Sequence, residues 1–318
     1  MAANQYRLVL ETDNFRLLQV ASCVYAALEK ENATTGSNAA FVDLGDQVVV
    51  YDSFLNLDAA VQLRDAVRLI SGKEPTYVIN SHMHLDHVVG NQVFGRETAI
   101  ATSVKVRDAM LTDTAQSLAS MQARDANVIG HLEQGIRLEQ DPEKLANMKN
   151  SLKFLKNVMR PDLQLRYPNL TFDHQLTIHG KHDELRLTAL DIAHSPGDVY
   201  GYLPGARVCM AGDLIFAGEP PWIGAGNPTE YLKAWERLLE LDADCFISGH
   251  GPLATKAEIR LQIKYLSELL TLVGQRLEAG DRCLKRDDFS PEFRAWGGPV
   301  FQWNIDWTFG WLSKVQQS

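Results

Sequence analysis

The chain contains little cysteine, and the spacing of its cysteines restricts the kinds of site that it can form. Its 318 residues include four cysteines, and none of them belongs to a Cys-x-x-Cys pair. This spacing argues against disulfides and against cysteine metal ligands. Cys209 and Cys245 lie within apolar, strand-like runs, which predicts that they are small buried hydrophobic residues. We therefore expect a protein of the reducing cytoplasm.

The sequence also lacks a visible targeting segment, a membrane span and a basic character. No apolar run approaches the ~20 residues of a membrane-spanning helix, and the first residues lack the basic start and long apolar stretch of a secretory signal. The net charge is −9, from 31 Lys and Arg against 40 Asp and Glu, whereas nucleic acids and anionic membranes bind basic surfaces. No Walker-type or Rossmann-type glycine loop is present. We expect a small-molecule substrate, with neither nucleic acid nor membrane as a partner.

What is present is a β-rich chain long enough for a large core. A hydrophobic content of 45% is ordinary for a globular protein, and we expect one domain over residues 1–318. Helical spacing of apolar residues predicts helices at 57–70, 229–241 and 256–279. Short apolar runs between polar or glycine turns predict strands. They are expected at 7–10, 15–18, 23–27, 39–44, 47–51, 77–79, 99–101, 170–172, 175–178, 184–190, 199–203, 207–210 and 245–248.

Two segments depart from this β-rich pattern. Residues 103–165 are rich in Ala, Leu, Glu, Gln, Lys and Met, which predicts a helical insertion that either roofs the active site or makes a dimer contact. Residues 281–318 form a C-terminal extension whose aromatic side chains either line an apolar pocket or bury an oligomer contact. A homodimer through one of these segments is therefore predicted. The aromatic residues of the extension are Trp296, Phe301, Trp303, Trp307, Phe309 and Trp311.

The densest chemical signal is the run His82-Met-His84-Leu-Asp86-His87, which directly follows an apolar strand. Imidazole and carboxylate groups are ligands that zinc prefers. His82 and His84 are two residues apart, so in extended chain they point the same way and could share one metal. Asp86 and His87 are adjacent and can face another direction, toward a second metal.

Three later motifs place a histidine or an aspartate at a predicted strand end. His194 lies in the run from Asp191 to Asp198, Asp213 follows Gly212, and His250 stands between two glycines. Each motif alone is typical of a turn. Together with the earlier run, they predict metal ligands that converge on one edge of a sheet.

The chain resembles the metallo-β-lactamase superfamily, whose five motifs occur here in order between about residues 5 and 255. They correspond to Asp52, the run from His82 to His87, His194, Asp213 and His250. The resemblance implies an α/β fold, the αββα sandwich, with two β-sheets between outer helices and metals at one sheet edge. The helical insertion and the aromatic-rich C-terminal extension fall outside it.

The resemblance also implies how the metal ligands divide. Asp213 bridges two zinc ions per chain, although other divalent metals are also accepted by such ligands. Asp52 stands behind the ligands and orients their imidazoles. The first ion is bound by His82, His84 and His194, and the second by Asp86, His87 and His250.

Two differences between this sequence and familiar members of the superfamily indicate the branch to which the chain is similar. A familiar subclass of β-lactamases has cysteine where this chain has Asp213, and aspartate there resembles the dinuclear hydrolases such as glyoxalase II-like thioesterases and lactonases. Glyoxalase II-like sequences often have a second histidine where this chain has Asp198. The run His-Ser-Pro-Gly-Asp is similar to β-lactamase-like hydrolases associated with sulfur oxidation and quinoprotein systems.

The resemblance implies a hydrolase in which a metal-bridging hydroxide attacks the carbonyl of an ester, thioester, lactone or amide such as a β-lactam. Asp86 is the expected catalytic residue, as a proton relay to the leaving group. Trp222, in the loop after Asp213, is either a pocket wall or a packing residue. The alternative function is a di-iron or mononuclear iron redox protein of the same fold. A nuclease is disfavoured by the net charge of −9.

Overall fold

The computed structural model describes residues 6–31, 33–125 and 127–315, with Glu143 described by its backbone alone. Some residues of the predicted domain lie outside the described residues, namely 1–5, 32, 126 and 316–318. Of these, residue 126 belongs to the predicted insertion and 316–318 belong to the predicted C-terminal extension. That the whole chain forms a single domain therefore stays a prediction.

The first sheet has eight strands that are arranged in their sequence order. Neighbours from β1 to β5 are antiparallel, whereas β5, β6, β7 and β8 are parallel to one another. The strands are β1 (Arg7–Glu11), β2 (Phe15–Ala21), β3 (Val24–Glu29), β4 (Ala39–Asp43), β5 (Val48–Tyr51), β6 (Tyr77–Ile79), β7 (Ala99–Ser103) and β8 (Leu170–Phe172).

The second sheet has five strands in the order β13-β12-β11-β10-β9. Its neighbours are antiparallel except for β12 and β13, which run parallel. The strands are β9 (Gln175–His179), β10 (Glu184–Ala189), β11 (Val199–Leu203), β12 (Val208–Phe216) and β13 (Cys245–His250).

Ten α-helices occur among the described residues, and none of them is long and apolar enough to cross a membrane. A π-helical turn at Met110–Thr114 joins α3 to α4. The helices are α1 (Leu57–Ser71), α2 (Leu85–Val88), α3 (Val104–Ala109), α4 (Ala115–Gln122), α5 (Val128–Leu138), α6 (Pro142–Val158), α7 (Pro228–Glu240), α8 (Lys256–Glu278), α9 (Pro291–Arg294) and α10 (Pro299–Val315).

Strand β5 shows why the two sheets and the helices form layers. All four of its residues are buried. Successive side chains of a strand point to opposite faces, so both faces of β5 are covered by other parts of the protein. Val49 and Tyr51 pack in the apolar cluster between the two sheets. Val48 and Val50 pack in the cluster beneath α1. Helix α1 is held in place by Asn56, whose side chain accepts hydrogen bonds from the first turn.

The outer face of the second sheet is covered by α7, α8 and the C-terminal helices. Trp235 of α7, Tyr265 of α8 and Phe301 of α10 are buried together in one apolar cluster with Phe246 of β13. Each sheet is thus packed against the other on one face and against helices on the other. This arrangement confirms the predicted αββα sandwich.

Helices α3 to α6 lie between β7 and β8 in the sequence, and in the structure they pack beside the predicted metal motif. Leu118 and Leu155 share an apolar cluster with Leu85 and Val89. The Thr114 hydroxyl, in the π-helical turn, donates a 2.6 Å hydrogen bond to the carbonyl of Met83. Such turns are frequent at functional sites. The helices therefore support the backbone that carries the histidines.

The aromatic residues of the C-terminal segment differ in burial, and two of them, Trp307 and Trp311, are half-buried and stacked on each other. Trp296, Phe301 and Phe309 are buried in the cluster with α8, whereas the Trp303 residue is 55% exposed. The three buried residues therefore pack in the core of the protein. Whether the exposed face forms an oligomer contact stays a prediction.

Candidate metal centre

The predicted ligands and the orienting residue Asp52 lie at the carboxyl ends of strands in both sheets. Asp52 follows β5 and His82 follows β6 by three residues, and because β5 and β6 are parallel neighbours, both residues come to one edge of the first sheet. His250, the last residue of β13, comes from the second sheet. Helix α2 begins directly after His84 and places Asp86 and His87 in its single turn.

Strand β12 is longer than the sequence predicts. The expected strand end before Asp213 is wrong, because β12 continues to Phe216. Its pairing with β13 shifts register on both sides of Gly212, which has a φ of 53°. This positive φ is in the left-handed region that glycine adopts without strain. The irregularity lets the strand continue while the Asp213 side chain turns into the site.

The structure brings all seven predicted ligands into two neighbouring groups. Within each group, one candidate ligand atom per residue lies within 4.8 Å of the others. The first group contains His82, His84, His194 and Asp213, and the second contains Asp86, His87 and His250.

Asp213 lies between the two groups. Its Oδ2 atom is 3.6 Å from His82 Nε2 and 3.4 Å from His194 Nε2. Its Oδ1 atom is 3.0 Å from His87 Nε2 and 3.3 Å from His250 Nε2. Each oxygen of this one carboxylate therefore faces two histidines of a different group.

The second group is completed by the carboxylate of Asp86. Its Oδ2 atom is 3.6 Å from His87 Nε2 and 3.5 Å from His250 Nε2. Asp86 and His250 are partly exposed, at 22% and 20% of their side chains. This side of the cluster is therefore accessible from outside, as is His84 of the first group.

Asp52 and Ser81 determine which nitrogens of two histidines face the cluster. The Asp52 carboxylate accepts hydrogen bonds from Ser81 Oγ at 2.7 Å and His87 Nδ1 at 2.8 Å. Because Ser81 gives its only hydroxyl proton to Asp52, its oxygen must accept from His82 Nδ1, which lies 2.8 Å away. Both imidazoles then direct Nε2, rather than Nδ1, into the cluster. The sequence predicts the role of Asp52 but not that of Ser81, although Ser81 immediately precedes the motif.

A main-chain group orients the third histidine. His194 Nδ1 lies 2.9 Å from the carbonyl oxygen of Trp222, to which it can only donate. Its Nε2 atom then lies 2.9 Å from His84 Nδ1. The Trp222 indole lies against the same pair, with ring centroids 4.9 Å from His84 and 5.7 Å from His194. Trp222 is therefore a wall of the site and also an orienting group.

Burial keeps the histidines of the first group neutral. Desolvation lowers the pKa of His84 to about 4 and that of His194 to about 3. It also lowers the pKa of His82 well below its ordinary value, with a further contribution from His87. Metal ligands must be deprotonated imidazoles. These three side chains are therefore ready to bind at neutral pH.

The Asp213 carboxylate has the opposite effect on the histidines of the second group. Burial alone would lower the pKa of His250, but the Asp213 carboxylate raises it to about 9. The carboxylates of Asp213, Asp52 and Asp86 also raise the pKa of His87 well above its ordinary value, against the effect of burial. Burial would raise the pKa of Asp213, but His250, His87 and His82 hold it well below its ordinary value. A cation that binds here must therefore displace protons from His250 and His87, while Asp213 is already charged.

The buried polar atoms of the cluster test whether a metal fits. Among the described residues, His82 Nε2, His87 Nε2 and Asp213 Oδ1 are buried and form no hydrogen bond of good geometry, although His87 Nε2 and Asp213 Oδ1 lie 3.0 Å apart as an ion pair. Such an atom costs about 1–3 kcal/mol, unless its lone pair is bound by another group. Nitrogen and carboxylate donors in groups of three and four suit zinc and related divalent ions. The residues present therefore fit metal binding.

The loop that carries His194 is folded around the buried carboxylate of Asp198. This side chain accepts hydrogen bonds from Ala193 N at 3.1 Å, from Ser195 N at 3.0 Å and from Ser195 Oγ at 2.6 Å. The two donor residues flank His194. Asp198 therefore fixes the backbone of a candidate ligand without facing the metal site.

Replacing Asp198 with Ala is expected to lower the free energy of unfolding by about 2 kcal/mol and to weaken metal binding, because it leaves buried donors without an acceptor. Asp198→Asn keeps one acceptor oxygen and is expected to retain most of both. Urea unfolding and a metal titration of each variant measure these effects. Equal losses in the Ala and Asn variants would contradict this role.

The stability of the folded chain is also expected to depend on pH through the carboxyl group of Asp198. Burial raises the pKa of Asp198 to about 7, against the effect of its donors. The unfolded chain then loses this proton at lower pH than the folded one, so folded-state stability falls as pH rises from about 4 to about 7. Because an asparagine side chain cannot ionise, the stability of the metal-free Asp198→Asn variant relative to the original chain should increase over that window. A stability difference that stays constant across the window, measured by urea unfolding, would contradict this assignment.

The fold and the cluster together define an αββα protein with a candidate metal centre. A family model described as the metallo-beta-lactamase superfamily matches residues 33–250. The chain therefore belongs to the metallo-β-lactamase superfamily, as the sequence motifs predict. The branch within the superfamily stays a prediction.

Two solved structures are similar in fold. A metallo-beta-lactamase from Pontibacter korlensis has 15% sequence identity and a TM-score of 0.52, over 83% of this chain and 99% of that chain. A stereoselective inverting sec-alkylsulfatase from Pseudomonas sp. has 15% identity and a TM-score of 0.66, over 92% of this chain and 49% of that one. The chain thus spans about half the length of the sulfatase. At this identity both likenesses concern the fold alone.

Proposed function

We propose that this protein is a dinuclear zinc hydrolase in which water attacks the carbonyl carbon of a small ester, thioester, lactone or amide such as a β-lactam, and the bond from that carbon to oxygen, sulfur or nitrogen breaks. The position of Asp213 carries the proposal, because its two oxygens face histidines of two different groups at 3.0–3.6 Å. A carboxylate placed in this way is suited to bridge a pair of cations.

The ligands of the two ions follow from the two groups. His82, His84 and His194 would hold one ion, Asp86, His87 and His250 the other, and Asp213 would contact both. Such a metal pair supplies Lewis acidity and lowers the pKa of water toward ~7, so that the nucleophile requires no catalytic serine or cysteine.

The chain's own residues supply orientation and proton transfer. Asp52 accepts from His87 and, through Ser81, fixes His82, so that the ligands need no reorganisation when the site is loaded. Asp86 is partly exposed, and its Oδ2 atom faces His87 and His250. We assign its other oxygen, Oδ1, the relay of the proton released by the attacking water to the leaving group.

The surroundings favour a carbonyl substrate with an apolar part. The Trp222 indole offers an apolar face beside His84 and His194.

Localisation and partners belong to the same proposal. Cys23, Cys209 and Cys245 are buried and unpaired, and Cys283 is exposed and unpaired, as in a protein of the cytoplasm. We propose a small-molecule substrate and, through the helical insertion or the aromatic C-terminal segment, a homodimer.

Metal analysis and a substrate panel test the proposal. We expect two zinc ions per chain by mass spectrometry, loss of hydrolysis of β-lactam, lactone, thioester or aryl ester substrates after chelation, and recovery when zinc is restored. A sulfate ester serves as the negative control. Full hydrolytic activity in verified metal-free protein would refute the proposal. Iron as the bound metal, with oxygen consumption and no hydrolysis, would favour the redox alternative.

A further inference from the structure

A buried asparagine of the C-terminal helix α10 is bound to the loop that forms one wall of the metal centre. Asn304 is 1% exposed. Its side-chain amide donates to the carbonyl of Pro221 at 2.7 Å, and its Oδ1 atom accepts from the backbone N–H of Ile223 at 3.3 Å. It therefore holds the main chain on both sides of Trp222.

The peptide group between Trp222 and Ile223 connects Asn304 to the candidate ligand His194. Its N–H is bound by Asn304, and its C=O accepts from His194 Nδ1 at 2.9 Å. Because a peptide group is planar and rigid, fixing the N–H also fixes the direction of the C=O. Hydrogen bonds in such a chain also polarise one another.

The chemistry of the asparagine side chain matches this position. A primary amide offers both a donor and an acceptor, and the loop presents one carbonyl and one N–H to it. The Asn304 amide also donates to the Tyr265 hydroxyl of α8 at 3.3 Å, so a neighbouring helix holds its orientation. Valine or leucine would pack in this core but leave two main-chain groups unpaired.

We propose that Asn304 is a positioning residue of the metal centre. It fixes the Trp222–Ile223 peptide, which sets the orientation of His194, and it places the Trp222 indole against His84 and His194. The inference rests on the proposed function, and it extends the site beyond the residues 33–250 matched by the family model. The C-terminal segment thereby becomes part of the centre that it covers.

Co²⁺ binding distinguishes an effect of Asn304 on the position of His194 from an effect on the stability of the protein. Asn304→Leu in the full chain is expected to weaken the affinity for Co²⁺, measured against a competing chelator, by about tenfold, as for other residues that orient metal ligands. The visible absorption of the bound Co²⁺ should also change, since His194 is no longer held in one orientation. Asn304→Ser, which is too short to reach both main-chain groups, is a second variant should the leucine variant fail to fold.

Ile305→Ala is the matched control. Ile305 is the next residue of α10 and is buried in the same apolar cluster, so its truncation lowers stability without removing a hydrogen bond to the loop. We expect a lower melting temperature but unchanged Co²⁺ affinity and spectrum. The inference is overturned if the folded Asn304 variants have the same Co²⁺ affinity and the same Co²⁺ absorption spectrum as the original chain. Failure of the original chain to bind Co²⁺ would instead refute the proposed metal site.

Discussion

Asp213→Asn is expected to lower kcat/KM for a carbonyl substrate by about a thousandfold, which corresponds to about 4 kcal/mol of lost transition-state stabilisation. Asparagine keeps the shape of the side chain but removes its charge and one of its two acceptor oxygens. The Asp213 oxygens lie 3.0–3.6 Å from four histidine nitrogens, so the change affects both groups. Metal content should fall below that of the original chain at equal zinc concentration.

Asp191→Asn provides the matched control for this substitution. It makes the same chemical change in a neighbouring loop, where the Asp191 side chain is 83% exposed and paired with Lys105. Kinetics and metal content should be those of the original chain, because exposed ion pairs contribute little. An Asp213→Asn protein that turns over at the same rate with the same metal content would show that Asp213 does not bridge metals.

The αββα layers are predictable because the signals for them are local. The apolar run of β5 can be recognised in the sequence, and both faces of the strand are buried in the structure. The candidate ligands are predictable for a related reason. His82 and the orienting residue Asp52 follow two parallel neighbours of one sheet, which brings them to one edge, and His250 lies at the end of a predicted strand that belongs to the second sheet.

The length of β12 could not be predicted in the same way. The glycine before Asp213 is typical of a turn that ends a strand. In the folded chain, Gly212 instead forms an irregularity across which pairing with β13 resumes, up to Phe216 opposite His250. The outcome depends on the pairing of Gly212 with Ser248 and of Phe216 with His250 in a partner strand distant in sequence, which local signals do not contain.

The orienting groups of His194 also leave no local signal. The carbonyl of Trp222 has no side-chain identity that a motif could record, and Asn304 contacts this loop from more than 80 residues away. The aromatic residues of α10 are similar. Composition identifies them, but only the packing of α10 against α8 determines that Phe301 is buried and Trp303 is 55% exposed.

Gly249→Ala is expected to lower the free energy of unfolding by about 3 kcal/mol, because it overpacks the contact between β12 and β13. A Cβ atom at this position would lie 1.9 Å from Asp213 Oδ1 and 2.7–2.8 Å from the backbone of Gly212 and Asp213. The nearest atom is in the Asp213 side chain and the next two are main chain, so rotation of Asp213 would remove only the closest overlap. The strands must therefore separate as well, and displacement of Asp213 from its position between the two groups should abolish tight metal binding.

Gly274→Ala makes the same chemical change where space is available. Gly274 lies within α8, and an added Cβ would meet nothing within 4 Å. Alanine is favoured over glycine in a helix by about 0.5–1 kcal/mol, so this variant should gain stability and keep its metals. Urea unfolding should therefore shift in opposite directions in the two variants, and zinc content should fall in the Gly249→Ala protein alone. Equal stability and equal zinc content in the Gly249→Ala and Gly274→Ala proteins would contradict this prediction. That result would mean that β12 and β13 are packed less closely at Asp213 than in the structure. It would also mean that the position of Asp213 does not require glycine at residue 249.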